Sequence, residues 1–400
     1  MPKNSTQSNK PKTPKLRFPG FDGVWEEKKL GQFLIPELRE IIKPKGFYKG
    51  IGLRSHFKGT FQRGDSDPLK ISMDKLFEVK EKDFLVNITF AWEGALAIAK
   101  KEDEGGLVSH RFPTYVFDKK ITTPEYFQFV FPNRKMKYIL ENISPGGAGR
   151  NRVLNKTDFL KIKINLPQLS EQQKIASFLG GVDAWIENLR EQKKSLESYK
   201  KGLMQKIFSQ QIRFKDEKGN DFPEWEEKRL SEIEEIGFVE LGRGEVISKS
   251  DILKIPGEYP IYSSSVQNEG LFGYFGKYNF DEELISWSVD GGGNFFYRPK
   301  HKFSITNVSG YLRVLNKNIL NVKFLAMQLQ LLHEKQKFDY TVKAHPSVIR
   351  GIYIIKIPNL LEQQKIAEFL SSVDTLIESK QQQITKAEEW KKGLMQNLFV

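Results

Sequence analysis

The stretches "LSEQQKIASFLGGVDAWIENL" (Leu169–Leu189) and "LLEQQKIAEFLSSVDTLIESK" (Leu360–Lys380) are near-copies of one segment, 191 positions apart. Laid over each other without a gap, Glu171–Phe208 and Glu362–Phe399 agree at 21 of 38 positions, among them "EQQKIA", "KKGLMQ", Val182/Val373 and Asp183/Asp374. A second echo precedes each copy: "WEEKKL" at Trp25–Leu30 and "WEEKRL" at Trp225–Leu230. The chain is therefore two halves, each a Trp-box, a long divergent stretch and a repeated segment.

The repeated segment has helical period. Ile175, Leu179, Val182, Ile186 and Leu189 step by 4, 3, 4, 3 and the stripe resumes at Leu196, Leu203 and Ile207, the heptad seam of a coiled coil. The second copy has Ile366, Leu370, Val373, Ile377, Ile384, Leu394 and Leu398. Each stripe is interrupted where the other is not, since Lys193 aligns with Ile384 and Lys380 with Leu189. Two such copies can cover each other as an antiparallel pair; alternatively, each stripe packs on its own globular half. A helix of 38 residues would span about 57 Å. Gly180-Gly181 and Ser371-Ser372 mark matched places where weak helix formers allow a bend or a start after a short first helix. Pro167 and Pro358 close the β-like runs "LKIKINLP" and "IYIIKIP".

Composition narrows the function classes. A chain of 400 residues suits two or three domains, and 39% hydrophobic residues give ample core. The net charge of +13 favours a polyanionic partner. The absence of cysteine excludes disulfides, thiolate metal sites and cysteine nucleophiles. The first fifteen residues are polar and basic and read as a disordered tail without a signal-peptide core. No apolar run approaches the roughly 20 residues of a membrane span, so a cytoplasmic protein without membrane partners is expected.

Between Trp-box and helix the pattern is mixed. "FLVNITFAW", "LISWSV", "YPIYSSS" and "SGYLRVL" read as strands, "TPEYFQFVF" and "VKFLAMQLQLLHEK" as helices. The expected fold class is α+β: two similar globular domains separated by two long antiparallel coiled-coil-like helices, in a pseudo-two-fold internal repeat. The expected boundaries are a tail at 1–15, domains at 16–165 and 210–356, and helical regions at 166–209 and 357–400. Two related domains held apart by paired helices suit two short, unlike DNA stretches a set distance apart, with one duplex turn of roughly 34 Å as the natural separation.

"YPIYSSSVQNEGLFGY" (Tyr259–Tyr274), "LPQLSEQQKIASFL", "IPNLLEQQKIAEFL", the "KKGLMQ" helix ends and "GIGLRSHFKGTF" (Gly50–Phe61) together resemble the specificity subunit of type I restriction-modification enzymes. The resemblance covers nearly everything after residue 15. It implies two target-recognition domains, each reading half of a bipartite site in double-stranded DNA. It also implies helical regions that fix the spacer and dock methyltransferase subunits, two in number, onto which restriction subunits assemble. No cofactor is then expected on this chain, and S-adenosylmethionine, ATP and Mg belong to the partners.

The residues themselves agree on what is missing. There is neither an Asn-Pro-Pro-Tyr nor an Asp-Pro-Pro-Tyr stretch and no G-x-x-x-x-G-K-[ST] loop, so amino-methylating and nucleotide-triphosphate sites are absent. "SPGGAGRN" and "DGGGN" read as turns. His56, His110, His301, His333 and His345 have no ligand spacing, and no metal site is expected. Asp183 and Asp374 read as cap or partner contacts. Candidate DNA-reading residues are those able to fork onto a base edge from a loop. In the first domain these are Arg54, Ser55, His56, Arg111, Arg150 and Arg152; in the second, Ser264, Gln267, Asn268, Arg298, Lys343, His345 and Arg350. For each, a solvated charge or a phosphate contact is the competing reading. Phe57 and Tyr297 could stack on bases or fill the core, and Tyr199 and Trp390 could anchor a partner or cover the seam. The rival function is a two-lobed protein-binding adaptor; a hidden nuclease ranks third, lacking an acidic metal cluster.

Overall fold

A computed structural model describes residues 13–146, 152–265, 267–290, 294–336, 338 and 343–399. The chain forms two compact units, Met1–Leu189 with Gln383–Val400, and Arg190–Gln382. Two long helices, Leu169–Phe208 and Leu360–Leu398, each contribute one part to either unit.

In the first unit, a two-stranded antiparallel ribbon, Glu26–Lys29 with Lys163–Leu166, brings the start of the domain to its end. Between them lie a four-stranded sheet (order Leu34–Pro36, Thr114–Phe117, Phe84–Val86, Leu96–Ile98) and a five-stranded sheet (Glu40–Ile42, Lys75–Glu78, Leu107–Val108, Tyr48–Leu53, Thr60–Ser66). Helices Pro124–Val130 and Arg134–Asn142 cover the core, in which Phe33, Phe84, Phe127 and Phe159 are fully buried. Of "FLVNITFAW" only Phe84–Val86 is strand; Asn87 turns the chain by accepting the Thr89 N–H at 3.1 Å.

The second unit repeats the plan. Glu226–Arg229 pairs with Ile354–Ile357, and a six-stranded sheet runs Val239–Arg243, Ser309–Val314, Phe280–Ser288, Phe295–Ile305, Tyr259–Tyr262, Leu271–Phe275. Helix Val322–His333 packs on it, capped by Asn321, whose side chain accepts the Phe324 N–H at 2.9 Å.

The shared words "EQ" at the start of each long helix join it to its domain. Glu171, almost fully buried, takes a bidentate pair from Arg17, both bonds 2.7 Å. Glu362, also buried, takes Arg213 through Nε at 3.3 Å and Nη2 at 3.0 Å, and the Trp225 indole N–H at 3.0 Å. The next residue satisfies the loop before the helix. Gln172 donates to the carbonyls of Pro167 (2.9 Å) and Ile121 (2.8 Å), and Gln363 donates to those of Pro358 (2.9 Å) and Ile319 (2.7 Å). Buried carbonyls near a proline would otherwise lack partners, so these glutamines answer a strict accounting.

The seam is shared between domain and helix. In the first unit Ile175 and Leu179 join the domain core, while Val182, Ile186 and Leu189 pack with Ile384 and Ala387 of the second long helix. In the second unit Ile366 and Leu370 cluster with Met204, Ile207 and Phe208. Val373 is buried, whereas Leu196, Leu203, Ile377 and Leu394 are half-buried. The two helices thus pack together, and Leu189 meets Ile384, the two apolar positions whose repeat counterparts are lysines. Outside the seam the repeat writes matched ion pairs: Lys391 holds Asp183, and Lys200 holds Asp374 at 2.6 Å. Both helices run unbroken through Gly180-Gly181 and Ser371-Ser372. Burial of Leu179 and Val182 on either side of the glycines outweighs a propensity cost of about 1 kcal/mol per glycine.

Each Trp-box packs against a helix end, that of the other copy. Trp25 lies edge-on to Phe399, centroids 6.4 Å apart, and Trp225 lies edge-on to Phe208 at 6.5 Å.

Candidate nucleic-acid interface

The candidate residues concentrate at one element that recurs in both units. In the first, strand Tyr48–Leu53 runs antiparallel to Thr60–Ser66 and parallel to Leu107–Val108. In the second, Tyr259–Tyr262 runs antiparallel to Leu271–Phe275 and parallel to Phe295–Ile305. The connection in each hairpin places two non-glycine residues at positive φ, followed by a glycine also at positive φ. These are His56 (61°), Phe57 (57°) and Gly59 (84°), and Asn268 (47°), Glu269 (52°) and Gly270 (83°). Backbone bonds from the residue just after the first strand close both loops: Arg54 N–H to Gly59 C=O at 2.9 Å and Ser263 N–H to Gly270 C=O at 2.8 Å. Two successive positive-φ residues suit the twist of a tight hairpin, but sequence normally supplies Asn-Gly there. A bulky Phe in this region costs about 1–2 kcal/mol and persists only where the surroundings hold it.

In the first unit the holding group is Glu93. Its carbonyl accepts the His56 N–H at 2.8 Å, its carboxylate accepts the Ser55 hydroxyl at 2.6 Å, and the neighbouring Gly94 carbonyl accepts the Phe57 N–H at 2.8 Å. The Phe57 ring turns inward, edge-on to Phe131 at 5.7 Å, so it belongs to the core and not to a base-stacking surface. Arg54 and His56 remain exposed, with the Arg54 guanidinium 5.3 Å from the Phe61 centroid and donating to the Thr60 carbonyl at 2.6 Å. Nearby, a groove is lined by His56, Arg134, Lys135, Lys137 and Lys392, a local excess of positive charge.

In the second unit the holding group is Arg298. The expectation that Arg298 reads DNA is corrected: its side chain is 1% exposed and cannot reach a base edge. Its Nε donates to Ser286 Oγ at 2.9 Å, its Nη2 donates to the Glu269 carbonyl, and its guanidinium lies 3.7 Å from the Tyr262 centroid and 4.8 Å from that of Phe296. Burial pushes its pKa down to about 10, still charged at neutral pH. Tyr297 is likewise structural, donating to Glu283 at 3.0 Å, with burial pushing its hydroxyl up to about 12.

The remaining candidates are dispersed. Arg111 is exposed beyond strand Leu107–Val108, and Arg152 lies 5.2 Å from the Trp92 centroid. Arg150 lies outside the described residues. Ser264 is half-buried, while Gln267 and Asn268 are exposed on the turn. Lys343 pairs with Asp290 at 2.7 Å and Arg350 with Glu234 at 3.2 Å. His345 caps helix Pro346–Ile352, its Nδ1 bonded to the Ser347 hydroxyl at 2.8 Å, which makes it a structural residue first. Sequence reasoning missed Glu93, Arg17 and Arg213; only the glycines after each turn signalled special backbone.

Among the described residues, no group of three or more His, Asp or Glu could hold a metal ion, and no helix is long and apolar enough to cross a membrane. The fold is that of a duplicated recognition protein: two similar domains with dissimilar hairpins on a repeated helical frame. Residues 25–198 and 223–389 match the type I restriction modification DNA specificity domain. The chain belongs to this family and is a DNA-specificity subunit of a type I restriction-modification system, itself non-catalytic. It is 25% identical over 421 aligned positions to the specificity subunit of the type I restriction enzyme MjaVIII of Methanocaldococcus jannaschii, covering 94% of this chain and 92% of that one. A Mycoplasma pneumoniae protein provisionally named a type I specificity subunit is 31% identical over 225 residues, 54% of this chain and 82% of that one. The fold matches the type I S subunit of M. genitalium, with TM-score 0.59 and 18% identity, covering 97% of this chain and 99% of that chain. It also matches a chain from a study of type I R-M complex assembly and conformational transition, with TM-score 0.53, 16% identity and coverage of 94% and 97%.

Proposed function

We propose that the two globular domains, 16–165 and 210–356, each read one half of a bipartite site in duplex DNA, and that the paired helices set the spacer between the halves. The observation that carries this reading is selective divergence. Glu171/Glu362, Gln172/Gln363 and the Asp183/Asp374 ion pairs hold the frame constant, while the hairpins offer His56 and Lys58 in one domain and Gln267 and Asn268 in the other. Arg54, Ser55, His56, Arg111, Arg152, Ser264, Gln267, Asn268, Lys343, His345 and Arg350 are the proposed DNA contacts, with Arg150 assigned on sequence alone. Arginine and amide side chains fork onto guanine and adenine edges; the lysines supply phosphate contacts.

Two methyltransferase subunits dock on the helices, and restriction subunits assemble on that complex in the cytoplasm. S-adenosylmethionine, ATP and Mg are bound by those partners. In the first unit Trp185 and Trp390, 47% and 48% exposed and edge-on at 6.4 Å, form an aromatic anchor of the kind that dominates interfaces. The matched positions in the second unit, Leu376 and Tyr199, are also exposed, at 55% and 56%.

Mapping methylated adenines in genomic DNA of cells with and without this chain tests the whole reading. Loss of one bipartite methylation pattern is expected. Replacing residues 31–165 with a relative's should alter one half-site only, and alteration of both would contradict separate reading. Against the adaptor reading, the partner-bound chain should bind DNA with an affinity falling steeply as salt rises.

A further inference from the structure

The hairpin turns present a problem the repeat does not solve. The helical frame is conserved between the halves residue by residue, yet the divergent domains arrive at the same backbone device. Both hairpins occupy the same topological place, their first strand pairing antiparallel within the hairpin and parallel with a later strand. Both carry consecutive non-glycine residues at positive φ, His56-Phe57 and Asn268-Glu269, and then a positive-φ glycine, one residue further on in the first turn (Gly59, after Lys58) and immediately in the second (Gly270). Neither turn carries the Asn-Gly pair that makes this conformation cheap; Asn268 tolerates it, but Phe57 and Glu269 do not. Both are held from outside by a strongly polar residue of a neighbouring segment, but with opposite charge. Glu93 grips the first through Ser55 and the His56 N–H, and Arg298 grips the second through the Glu269 carbonyl.

The second grip is the more telling. A guanidinium that is 1% exposed loses its hydration, and its nearest carboxylate, Glu269, lies 3.8 Å away and is itself largely in solvent. Two aromatic faces and Ser286 Oγ replace that water, and an Nη2 donor goes to the backbone of the turn. At Gly270 any side chain would collide, because a Cβ there would lie 2.7 Å from the Ser263 carbonyl. The turn is thus clamped at Glu269 and Gly270 while Gln267 and Asn268 stand in solvent. Rigid backbone beneath amide side chains is the arrangement that adenine readout through N6 and N7 requires.

We infer that the turns His56–Gly59 and Gln267–Gly270 are the equivalent base-reading elements of the two domains, and that Glu93 and Arg298 are positioning residues that fix them. This rests on the assignment of the domains as DNA-reading, and adds which element reads and what holds it. Asn268 and Gln267 face the base edges of one half-site; Ser55 and His56 serve the other.

The test uses the chain assembled with its methyltransferase partner, challenged with duplex libraries in which one half-site at a time is randomised, and methylation is scored for each sequence. Asn268→Ala and Asn268→Gly are expected to lower discrimination at one half-site by about tenfold, with the other half-site unchanged. Arg298→Met and Arg298→Lys are expected to give the same one-sided loss, because lysine keeps the charge but not the planar fork. Ser55→Ala and His56→Ala should act on the opposite half-site alone. A general packing role for Arg298 would instead lower the yield of complex without altering its preference. Should Arg298→Met fail to assemble, the exposed-turn variants decide: unchanged discrimination in Asn268→Ala and His56→Ala overturns the inference. Loss at both half-sites from a single turn variant overturns it as well. A wild-type complex indifferent to sequence would overturn the DNA-reading assignment together with the inference. A selective wild type with indifferent turn variants overturns the inference alone.

Discussion

Removing the Glu362 carboxylate should loosen the second unit at the start of its long helix by an amount the hydrogen bonds define. Glu362 is fully buried and accepts from Arg213 Nε, Arg213 Nη2 and Trp225 Nε1. Breaking a buried pair on one side costs about 3–5 kcal/mol. Arg213 also donates to the Phe222 carbonyl at 3.1 Å and the Pro223 carbonyl at 2.7 Å, and its side chain keeps 20% exposure, so the lower end applies: about 3 kcal/mol for Glu362→Ala. Glu362→Gln keeps an acceptor for the indole and should cost about half as much, roughly 1.5 kcal/mol. The matched Glu171→Ala serves as an internal standard. Its partner Arg17 is bound equally well, but among the described residues the Trp25 indole N–H has no hydrogen-bond partner, so Glu171→Ala should cost about 1 kcal/mol less. Hydrogen exchange on the partner-assembled protein reads this locally. Amides of strand Glu226–Arg229 and of the first turns of helix Leu360–Leu398 should exchange about 100-fold faster in Glu362→Ala. Protection unchanged within about threefold, or lost equally around Glu171, would refute the claim that this carboxylate ties domain to helix.

Leu189→Ala should destabilise the first unit by about 2–4 kcal/mol, because Leu189 is buried against Ile384 and Ala387, whereas half-buried Leu196 should tolerate Ala at about 1 kcal/mol; urea unfolding of the complex distinguishes them. The Lys200–Asp374 pair, 23% and 37% exposed, should contribute under 1 kcal/mol, measurable by a double-mutant cycle and diminished in high salt. Inserting one heptad after Lys193 and one after Gln381 adds about 10 Å to each helix; methylation mapping should return a spacer longer by about three base pairs, and an unchanged spacer would show that the helices are not the ruler.

Much of the frame was legible in residue order. The heptad steps from Ile175 to Leu189 located the seam because helical period is local, and the proline after each β-like run marked the end of the last strand before each long helix. The glycine pair at 180–181 allowed a bend or a new start, yet the helix runs unbroken through it, with seam residues buried on both sides. Arg298 looked like a reader because it stands beside Pro299 in what read as a loop, yet it lies in strand Phe295–Ile305 and faces inward. Strand alternation alone could not place it, since a bulge at Glu282–Leu284 shifts the register of the partner strand. Nothing in "SHFKG" announced that His56 and Phe57 take left-handed backbone.

The sequence by itself determined the duplication, the two helices, their heptad seam and the family, because each depends on identity or on spacing within a short window. It could not say which helix end a Trp-box would meet. Phe208 and Phe399 are the same residue in the same words, chemically equal partners for Trp25 or Trp225. Only the folded chain decides between them: Trp25 lies against Phe399 and Trp225 against Phe208, since antiparallel packing brings the end of one copy beside the start of the other. A repeat encodes its own ambiguity, and three-dimensional packing is what resolves it.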